Sequence, residues 1–385
     1  MSCIAIVRET FSTPIAFSWA FMFTYGGGSF IAGILADRFS PVAVVGCGLL
    51  GSSLCLFLIA YGTSTSITSN AALSNAWLFT CQLLHGGFHA TAGPGNIAIL
   101  ANWFSAKDDG MIFLGWACAQ YLGEYAAGSL FANIPNHRLW CIILPTIVSG
   151  IWAIVIFFRL PSSPKDIDLT SSGEGERAAI GFLQATAFPN VLYYALAFGF
   201  FKLVHYAMLY QLPKILTSRF DPTAALVICH SYMLFMMLAG LSFSLVSDLF
   251  GGRRARVIAS FMGILCPLLY AFSEYIGTAS PFVLLFLAFA VGFLLGVPLT
   301  TINTLVAADL ADDISIKTDK KAAGTVTGII EGIGLVIAAF GQLAIPVFHE
   351  FGIVHGVGYK CVWYFLILSI LLGISFLTPL MYNEV

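Results

Sequence analysis

Long apolar stretches recur along almost the whole chain, and they constrain its fold more than any other feature. Residues 41–61 and 280–306, for example, contain no Asp, Glu, Lys or Arg. A helix of about 20 such residues spans the hydrocarbon core of a bilayer and satisfies its own backbone hydrogen bonds there. Hydrophobic residues make up 59% of the chain and charged residues 9%, whereas a soluble domain has roughly 45–50% and 25%. The sequence therefore predicts an all-α, multi-pass membrane protein.

Polar breaks divide these stretches into separate predicted membrane-spanning helices. The eleven predicted spans are 14–35, 41–61, 75–102, 110–134, 139–160, 190–216, 222–246, 255–275, 280–306, 322–348 and 358–381. The longest polar segment follows the fifth span and is typical of a linker between two helical bundles. We therefore predict an amino-terminal bundle of five spans at 1–160, a linker at 161–189 and a carboxy-terminal bundle of six spans at 190–385.

Basic residues are distributed unequally between the two sides of this predicted topology. The side that includes the linker carries eleven, namely Arg38, Lys107, Arg159, Lys165, Arg177, Arg253, Arg254, Arg256, Lys317, Lys320 and Lys321. The opposite side carries five, namely Arg8, Arg138, Lys214, Arg219 and Lys360. Because cytoplasmic loops carry the excess of Lys and Arg, the linker is predicted to be cytoplasmic. The formal net charge is -2, and the sequence predicts no exposed helix with a basic cluster. Both observations argue against nucleic acid as a partner.

Two loops look like copies of each other. "GILADRFSP" contains Gly33, Asp37 and Arg38, while "SLVSDLFGGRRAR" contains Asp248 and Arg253. An internal repeat puts such loops at equivalent places in its two halves. They match only if the first bundle lacks its opening helix, so we predict a design of twelve helices of which about eleven are present.

Acidic and basic loops of the GxxxDR type at corresponding places in two six-span halves are typical of the major facilitator superfamily, which this chain resembles. Within it, the chain is most similar to the sugar-phosphate exchangers (solute carrier family 37), relatives of the bacterial glycerol-3-phosphate:phosphate antiporter. Four stretches carry the resemblance: "NWFSAKDDGMIFLGW" at 102–116, "FFKLVHYAMLYQLP" at 200–213, "GVPLTTINTLVAADLADD" at 296–313 and "TVTGIIEGIGLVIAAFGQ" at 325–342. The resemblance implies two pseudo-symmetric bundles, an anion site at their interface, no cofactor, and exchange of an organophosphate for inorganic phosphate.

Some positions depart from the family pattern. An acidic pair precedes Gly110 where the relatives usually have a basic residue, and Gln120 lies in a span where they usually carry a histidine. His205 aligns with the second phosphate-binding arginine of the bacterial antiporter, whereas the eukaryotic exchangers resemble this chain in carrying the lysine at 202. The first family helix, which supplies a basic residue to the phosphate, is the one predicted to be missing.

Lys202 lies almost at the centre of its predicted span, where an ionised side chain costs roughly 2.5–3.5 kcal/mol. His205 at i+3 and Tyr206 at i+4 share its helix face. This face is expected to line a polar cavity, and we predict that Lys202 and His205 bind phosphate or another anion. The alternative is that an intramembrane acid, Glu124 or Glu331, simply neutralises Lys202.

Glu124 and Glu331 are the acids well inside predicted spans. Each is a candidate proton-coupling site, a counter-charge for Lys202, or a carboxylate that holds the bundles together. The eukaryotic relatives resemble this chain in carrying an acid at the position of Glu331, which favours a shared structural or gating role there.

Further polar side chains are candidates for the cavity lining: Gln120, Tyr121, Tyr25, Tyr210, Asn303 and His89. His85 and His89 have the i, i+4 spacing of metal ligands, but no third ligand is close in the sequence, so no metal site is predicted. The nine cysteines are scattered without paired spacing and suggest neither a metal site nor a disulfide framework. Glycine stripes at 26–33 and 328–334 are typical of helices that pack closely in membranes.

Gly33, Asp37 and Arg38, and in the second copy Asp248 and Arg253, are predicted to form cytoplasmic contacts that hold one conformation shut, as the superfamily resemblance implies. The alternative is that these charges only set the topology. The prediction is firmer for Asp37, where the motif is complete, since Ser244 replaces the glycine of the second copy.

The predicted function is that of a secondary transporter that exchanges a sugar phosphate resembling glucose 6-phosphate for inorganic phosphate by alternating access. Two alternatives stay open: transport of another organic anion or of a neutral solute, and a non-transporting role as the partner of another membrane protein. An accessory membrane subunit is a further possible partner. No enzyme is predicted, because the spans show no nucleophile–base pair or metal triad. The resemblance implies an endomembrane, the endoplasmic reticulum rather than the plasma membrane.

Overall fold

The computed structural model describes residues 14–64, 71–105, 109–133, 139–167, 178–249 and 253–383, and these are almost entirely helical. The α-helices are α1 (Pro14–Arg38), α2 (Pro41–Ser64), α3 (Ala71–His89), α4 (Ala92–Trp103), α5 (Gly110–Asn133), α6 (Trp140–Arg159), α7 (Phe182–Thr186), α8 (Pro189–Thr217), α9 (Pro222–Leu249), α10 (Arg254–Tyr275), α11 (Pro281–Thr301), α12 (Ala307–Thr318), α13 (Ala323–Val354) and α14 (Lys360–Asn383). A π-helical turn, Ile302–Val306, joins α11 to α12, and a 3-10 turn, Pro164–Ile167, follows α6.

Nine helical segments of the described residues are long and apolar enough to cross a membrane. They correspond to nine of the eleven predicted spans. The predicted span 75–102 is instead two helices, α3 and α4, and the predicted span 110–134 is the 24-residue helix α5, which is not among the nine. The multi-pass membrane architecture predicted from the sequence is thus confirmed.

Proline residues mark where many of these helices begin. Pro14, Pro41, Pro189, Pro222 and Pro281 each occupy the first position of a helix. The first turn has no partner for a backbone N–H, so the missing N–H of proline costs nothing there and its fixed φ favours the helix. The loop prolines of the sequence therefore set the helix starts to within a residue or two of the predicted bounds.

The division of the predicted span 75–102 has a local cause. A turn at Ala90 and Thr91 separates α3 from α4, and the sequence that follows is "AGPG". Pro94 has no N–H to donate to the carbonyl group of residue 90, four positions earlier, so the helical hydrogen-bond pattern is interrupted. Gly95 N–H still donates to the Thr91 carbonyl oxygen (3.0 Å), which restarts the pattern in α4.

The helices pack into two compact units. Unit one comprises the described residues of Met1–Asp109, Ser129–Leu192 and Val306–Val336; unit two comprises those of Gly110–Gly128, Tyr193–Leu305 and Ile337–Val385. These units do not test the predicted boundaries of the bundles and the linker, which remain predictions.

In unit one, α1 packs against α2, α3 and α4, and α2 also packs against α3, α4 and α6. One apolar cluster is formed by Phe17, Leu56, Ile59, Ala60, Leu78, Cys81, Cys141 and Ile142. Part of the predicted linker also belongs to this unit, because Ile180 N–H donates to the Lys321 carbonyl oxygen (2.9 Å) and Lys321 N–H to the Ala178 carbonyl oxygen (2.9 Å). These bonds fix the chain just before the start of α13.

In unit two, α9 packs against α11, and α10 packs against both α11 and α14. Small residues allow the close approach of α9 and α11: a Cβ atom added at Gly292 would lie 2.3 Å from the Tyr232 carbonyl oxygen, and one at Gly296 would lie 2.7 Å from the Met236 Cα. Close packing of this kind is the main source of helix association in a bilayer, where apolar burial gives little driving force. It fixes the position of Tyr232 on α9.

Candidate functional site

Lys202 lies near the middle of α8, the most buried of the nine candidate spans. Its side chain is only 4% exposed. The ammonium nitrogen lies 4.8 Å from the ring centroid of Phe198, one helical turn earlier, which is a cation–π distance. The structure therefore places a lysine inside the protein at mid-span, as the sequence predicts, and not on the lipid-facing surface.

His205 follows Lys202 by one turn and is also buried, at 1% exposed. Its Nδ1 atom lies 3.0 Å from the hydroxyl oxygen of Tyr232 on α9. The ring of Tyr121 on α5 packs edge-on against the imidazole, with the centroids 5.9 Å apart. Two other helices, α9 and α5, therefore hold the imidazole in one orientation.

Glu124 lies on the other side of the imidazole. Its Oε1 atom is 3.9 Å from His205 Nε2, and its side chain is 10% exposed. Gln120, one turn earlier on α5, donates a hydrogen bond from its Nε2 to the same Oε1 atom (3.2 Å). Gln120, Glu124 and His205 were predicted separately as site residues, and the structure brings them together.

Tyr206 and Tyr210 extend this arrangement along α8. The Tyr206 ring lies 5.3 Å from the His205 ring and stacks on the Tyr210 ring at 6.0 Å. Tyr206 is 6% exposed, so it contributes to a buried aromatic wall beside the histidine. We name His205, Tyr206, Glu124 and Tyr232, together with Lys202 one turn before His205 on α8, the unit-two polar cluster.

Tyr25 and His89 are predicted substrate-binding residues that lie in unit one. Their rings meet edge-on with centroids 5.1 Å apart. Phe21 packs against both His89 (5.6 Å) and His85 (5.1 Å). The two histidine rings are 5.8 Å apart, and the described residues contain no group of three or more His, Cys, Asp or Glu side chains able to hold a metal ion. The arrangement is an aromatic cluster between α1 and α3.

Glu331 is buried in unit one, at 1% exposed. Gly93 on α4 is its neighbour, because a Cβ atom at that glycine would make ordinary van der Waals contact, at 3.8–3.9 Å, with the Cγ, Cδ and Oε2 atoms of Glu331. The structure thus places Glu331 between α13 and α4 and Glu124 beside His205 on α8. The two acids occupy different environments, which favours different roles.

Asp37 makes a specific polar contact within unit one. Its Oδ1 atom accepts a hydrogen bond from Gly324 N–H (2.8 Å) and its Oδ2 atom accepts one from Thr325 N–H (2.7 Å). These are among the first N–H groups of α13, which have no partner within the helix, and a carboxylate there also interacts favourably with the helix dipole. Asp37 is 6% exposed, so water competes little for these bonds. The contact joins a helix of the predicted amino-terminal bundle to one of the predicted carboxy-terminal bundle.

Glycines make this close approach possible. A Cβ atom at Gly33 would lie 2.4 Å from the Gly324 carbonyl oxygen, and one at Gly328 would lie 2.4 Å from the Ser29 carbonyl oxygen. Further along the same contact, a Cβ atom at Gly26 would lie 2.9 Å from the Gly332 carbonyl oxygen. The glycine stripes noted in the sequence therefore face each other across α1 and α13.

The remaining predicted gate residues are placed differently. Arg38 is exposed, as is Arg253, which precedes α10. Asp248 lies in the last turn of α9, but its side chain is outside the part of the structure that is described. Arg254 and Arg256, from the same basic run, donate hydrogen bonds to the carbonyl oxygens of Leu305 (3.3 Å) and Met381 (3.0 Å). The arginines of the second loop copy therefore join the start of α10 to the π-helical turn after α11 and to the last turn of α14.

Replacing Asp37 by asparagine tests the contact at the start of α13. The amide side chain would keep the shape but place an NH2 group against a backbone N–H, so one buried hydrogen bond and the charge are lost. We expect Asp37→Asn to lower the free energy of unfolding by about 1–3 kcal/mol, measured by thermal unfolding in detergent. Asp221→Asn is the matched control, since Asp221 also accepts a hydrogen bond at a helix start, from Ala224 N–H (3.0 Å), but is exposed. Equal losses in the two variants would contradict a special role for Asp37.

The helical architecture, the polar side chains buried at mid-span and the glycine-mediated packing define a polytopic membrane protein. The family model of the Major Facilitator Superfamily matches residues 2–342, and the chain belongs to this superfamily.

Curated relatives refine this assignment. The chain is 28% identical over 415 residues to "Sugar phosphate exchanger 3" of Xenopus laevis, an alignment that covers 94% of this chain and 78% of the relative. It is 27% identical over 403 residues to the Homo sapiens protein of the same name (95% and 79%). It is 28% identical over 406 residues to "Putative glycerol-3-phosphate transporter 5" of Arabidopsis thaliana (95% and 79%). The resemblance inferred from the four sequence stretches is thus confirmed.

A solved structure supports the fold. The crystal structure of the human organic anion transporter MFSD10 (TETRAN) superposes with a TM-score of 0.66, covering 94% of this chain and 83% of that chain. At 17% identity this likeness shows the fold alone. The predicted major facilitator fold is therefore confirmed by both sequence family and structure.

Tyr232 is the residue of the site that sequence reasoning missed. It is a tyrosine in the middle of an apolar helix, with neither a charge nor a motif to single it out. The available signal was weak: a buried tyrosine hydroxyl needs a hydrogen-bond partner, but a sequence does not say which helix supplies it. Asp37 was identified from its motif, but its partners at the start of α13 were not.

Proposed function

We propose that this protein is a secondary transporter that exchanges an organophosphate, of the sugar phosphate class, for inorganic phosphate. The observation that carries the proposal is Lys202, a lysine that is 4% exposed at the middle of a membrane-spanning helix. An ionisable residue in such a place marks a substrate or ion pathway by default, because burial of its charge is costly. The names of the relatives, which include sugar phosphate exchangers and glycerol-3-phosphate transporters, support phosphate as the anionic group.

The unit-two polar cluster supports this chemistry. Lys202 supplies a positive charge, and His205 supplies an imidazole fixed by Tyr232 and Tyr121. A phosphate group has three acceptor oxygens on a charged centre, so it can accept hydrogen bonds from an ammonium and an imidazole together. The buried rings of Tyr206 and Tyr121 lower the local dielectric and strengthen these interactions. The cluster is thus suited to bind a phosphate group that has left its hydration shell in water.

Exchange follows if the site moves across the membrane only when it is occupied. In our proposal, the occupied site reorients readily and the empty site reorients poorly. The Asp37 contact at the start of α13 is the proposed gate, which holds one conformation shut and must open for the other. An endomembrane location remains a prediction that a fluorescently tagged chain would test.

Counterflow in liposomes tests the proposal. Purified protein is reconstituted into liposomes loaded with radiolabelled phosphate, and efflux is started with external glucose 6-phosphate, glycerol 3-phosphate, glucose or gluconate. We expect the two phosphate esters to stimulate efflux, whereas glucose lacks the charge and gluconate lacks the phosphate group. Protein-free liposomes are the control for leakage.

The alternatives give different outcomes in the same assay. Efflux that does not depend on external solute would contradict obligatory exchange. Stimulation by gluconate as strong as that by glucose 6-phosphate would favour a general organic anion transporter, and stimulation by glucose would favour a neutral solute. Binding of phosphate without any flux would favour a non-transporting membrane partner.

A further inference from the structure

Glu124 and His205 form a carboxylate–imidazole pair that anion binding alone does not require. His205 Nε2 faces Glu124 Oε1 at 3.9 Å, which is longer than a hydrogen bond. The other ring nitrogen, Nδ1, is already engaged with the Tyr232 hydroxyl at 3.0 Å. The imidazole therefore directs one occupied nitrogen to α9 and one unoccupied nitrogen to the carboxylate of α5.

Two atoms of this pair lack a hydrogen-bond partner within the described part of the chain. They are His205 Nε2 and Glu124 Oε2, and both are shielded from solvent. Buried polar atoms in native proteins are nearly always hydrogen-bonded, and an exception in a membrane interior points to a function. Both atoms can bind a proton.

The groups around the pair set its charge. From α8 it is faced by Tyr206, from α5 by Tyr121 and by Gln120, which donates to Glu124 Oε1, and from α9 by Tyr232. Lys202 lies one turn before His205 on α8, with its ammonium over the ring of Phe198. With an ionised Glu124 and a neutral His205, the pair carries one negative charge. One added proton makes the pair neutral overall, which removes the repulsion of a bound anion by Glu124 and therefore favours anion binding.

We propose that Glu124 and His205 are a proton-binding site linked to the anion: the pair takes up one proton from water when an organophosphate or phosphate binds, and that proton moves with the anion. Nδ1–H of His205 donates to the Tyr232 hydroxyl oxygen, and the proton taken up binds at Nε2, between the imidazole and Glu124 Oε1. The hydrogen bond from Gln120 keeps Glu124 oriented toward the ring. No covalent bond between heavy atoms forms or breaks. This proposal rests on the proposed function, because it concerns the same anion site.

Titration calorimetry measures this linkage directly. Glucose 6-phosphate is titrated into the full-length protein in detergent at about pH 8, where a phosphate monoester with a second pKa of about 6 is almost entirely dianionic. The binding heat in two buffers of different ionisation enthalpy gives the number of protons taken up. We expect about one proton per anion bound, so that affinity falls by up to about tenfold per pH unit as the pH is raised.

Variants assign the proton to the pair. Glu124→Gln keeps the size and the bond to Gln120 but cannot form the ion pair, so we expect proton uptake near zero with weaker, measurable binding. His205→Gln removes the other member and is expected to abolish proton uptake as well, which keeps the test valid if one variant does not fold. Glu350→Gln is the matched control, since Glu350 is an exposed acid on α13, and it should keep the wild-type proton number.

Each outcome of this experiment decides something. Wild-type binding without proton uptake, or unchanged uptake in both cluster variants, would overturn the proton site and leave the anion transporter standing. No binding heat for glucose 6-phosphate, glycerol 3-phosphate or phosphate would overturn the proposed function, and the proton site with it. Proton uptake that disappears in the cluster variants and persists in Glu350→Gln supports both.

Discussion

Lys202→Ala is expected to abolish exchange of organophosphate for phosphate in liposomes while the protein still folds. Removing one partner of a buried charge pair costs about 2–5 kcal/mol, which corresponds to a loss of about 30-fold to 4,000-fold in affinity. We expect the loss to fall on anion binding, because the ammonium is buried at mid-span on the helix that carries the proposed anion site. The measurement is the initial rate of counterflow over a range of external glucose 6-phosphate concentrations.

Two further variants separate charge from structure. Lys202→Arg keeps the positive charge and is expected to retain part of the exchange, although the wider guanidinium fits the buried site less well. Lys214→Ala is the matched control, because Lys214 lies near the end of the same helix α8 and is exposed. Wild-type exchange by Lys202→Ala would refute Lys202 as a binding residue, and a loss in Lys214→Ala would show that the assay reports only damage to α8.

The sequence was sufficient to identify the residues whose chemistry is unusual for their surroundings. Lys202 and His205 were identified as candidates because charged or titratable groups are rare inside apolar spans, and the structure buries both. Asp37 was identified because its loop motif is repeated. In each case the physical signal is local: the cost of burying a charge, a spacing along one helix, or a short motif within one loop.

Pairings between helices could not be predicted in the same way. The contact of Glu124 with His205 depends on how α5, α8 and α9 pack, and the position of α9 depends in turn on its packing against α11 at Gly292 and Gly296, small residues that carry no directional information in the sequence. For the same reason Tyr232 was missed, and the partners of Asp37 appeared only with the start of α13. The break between α3 and α4 is different, because its cause, the sequence "AGPG", can be read directly from the chain. It was overlooked because the residues on both sides are apolar and resemble one continuous span.

Gly33→Ala is expected to disrupt the contact between α1 and α13. The new Cβ atom would lie 2.4 Å from the Gly324 carbonyl oxygen and 3.1 Å from the Gly328 Cα, and both obstacles are backbone atoms that cannot rotate away. The helices must therefore move apart, and we expect the free energy of unfolding to fall by about 1–3 kcal/mol. Thermal unfolding in detergent measures the stability, and the counterflow assay measures the effect on exchange.

Gly27 provides the control within the same helix, since a Cβ atom there would meet nothing within 4 Å. Gly27→Ala should leave stability and exchange unchanged, and a Gly33→Ala protein as stable as Gly27→Ala would show that α1 and α13 are not in this contact in the folded protein. Because Asp37 lies one turn after Gly33, separation of the helices also lengthens the hydrogen bonds of Asp37 to Gly324 and Thr325. The double variant Gly33→Ala, Asp37→Asn should therefore lose less stability than the two single losses added together, because both changes break the same contact.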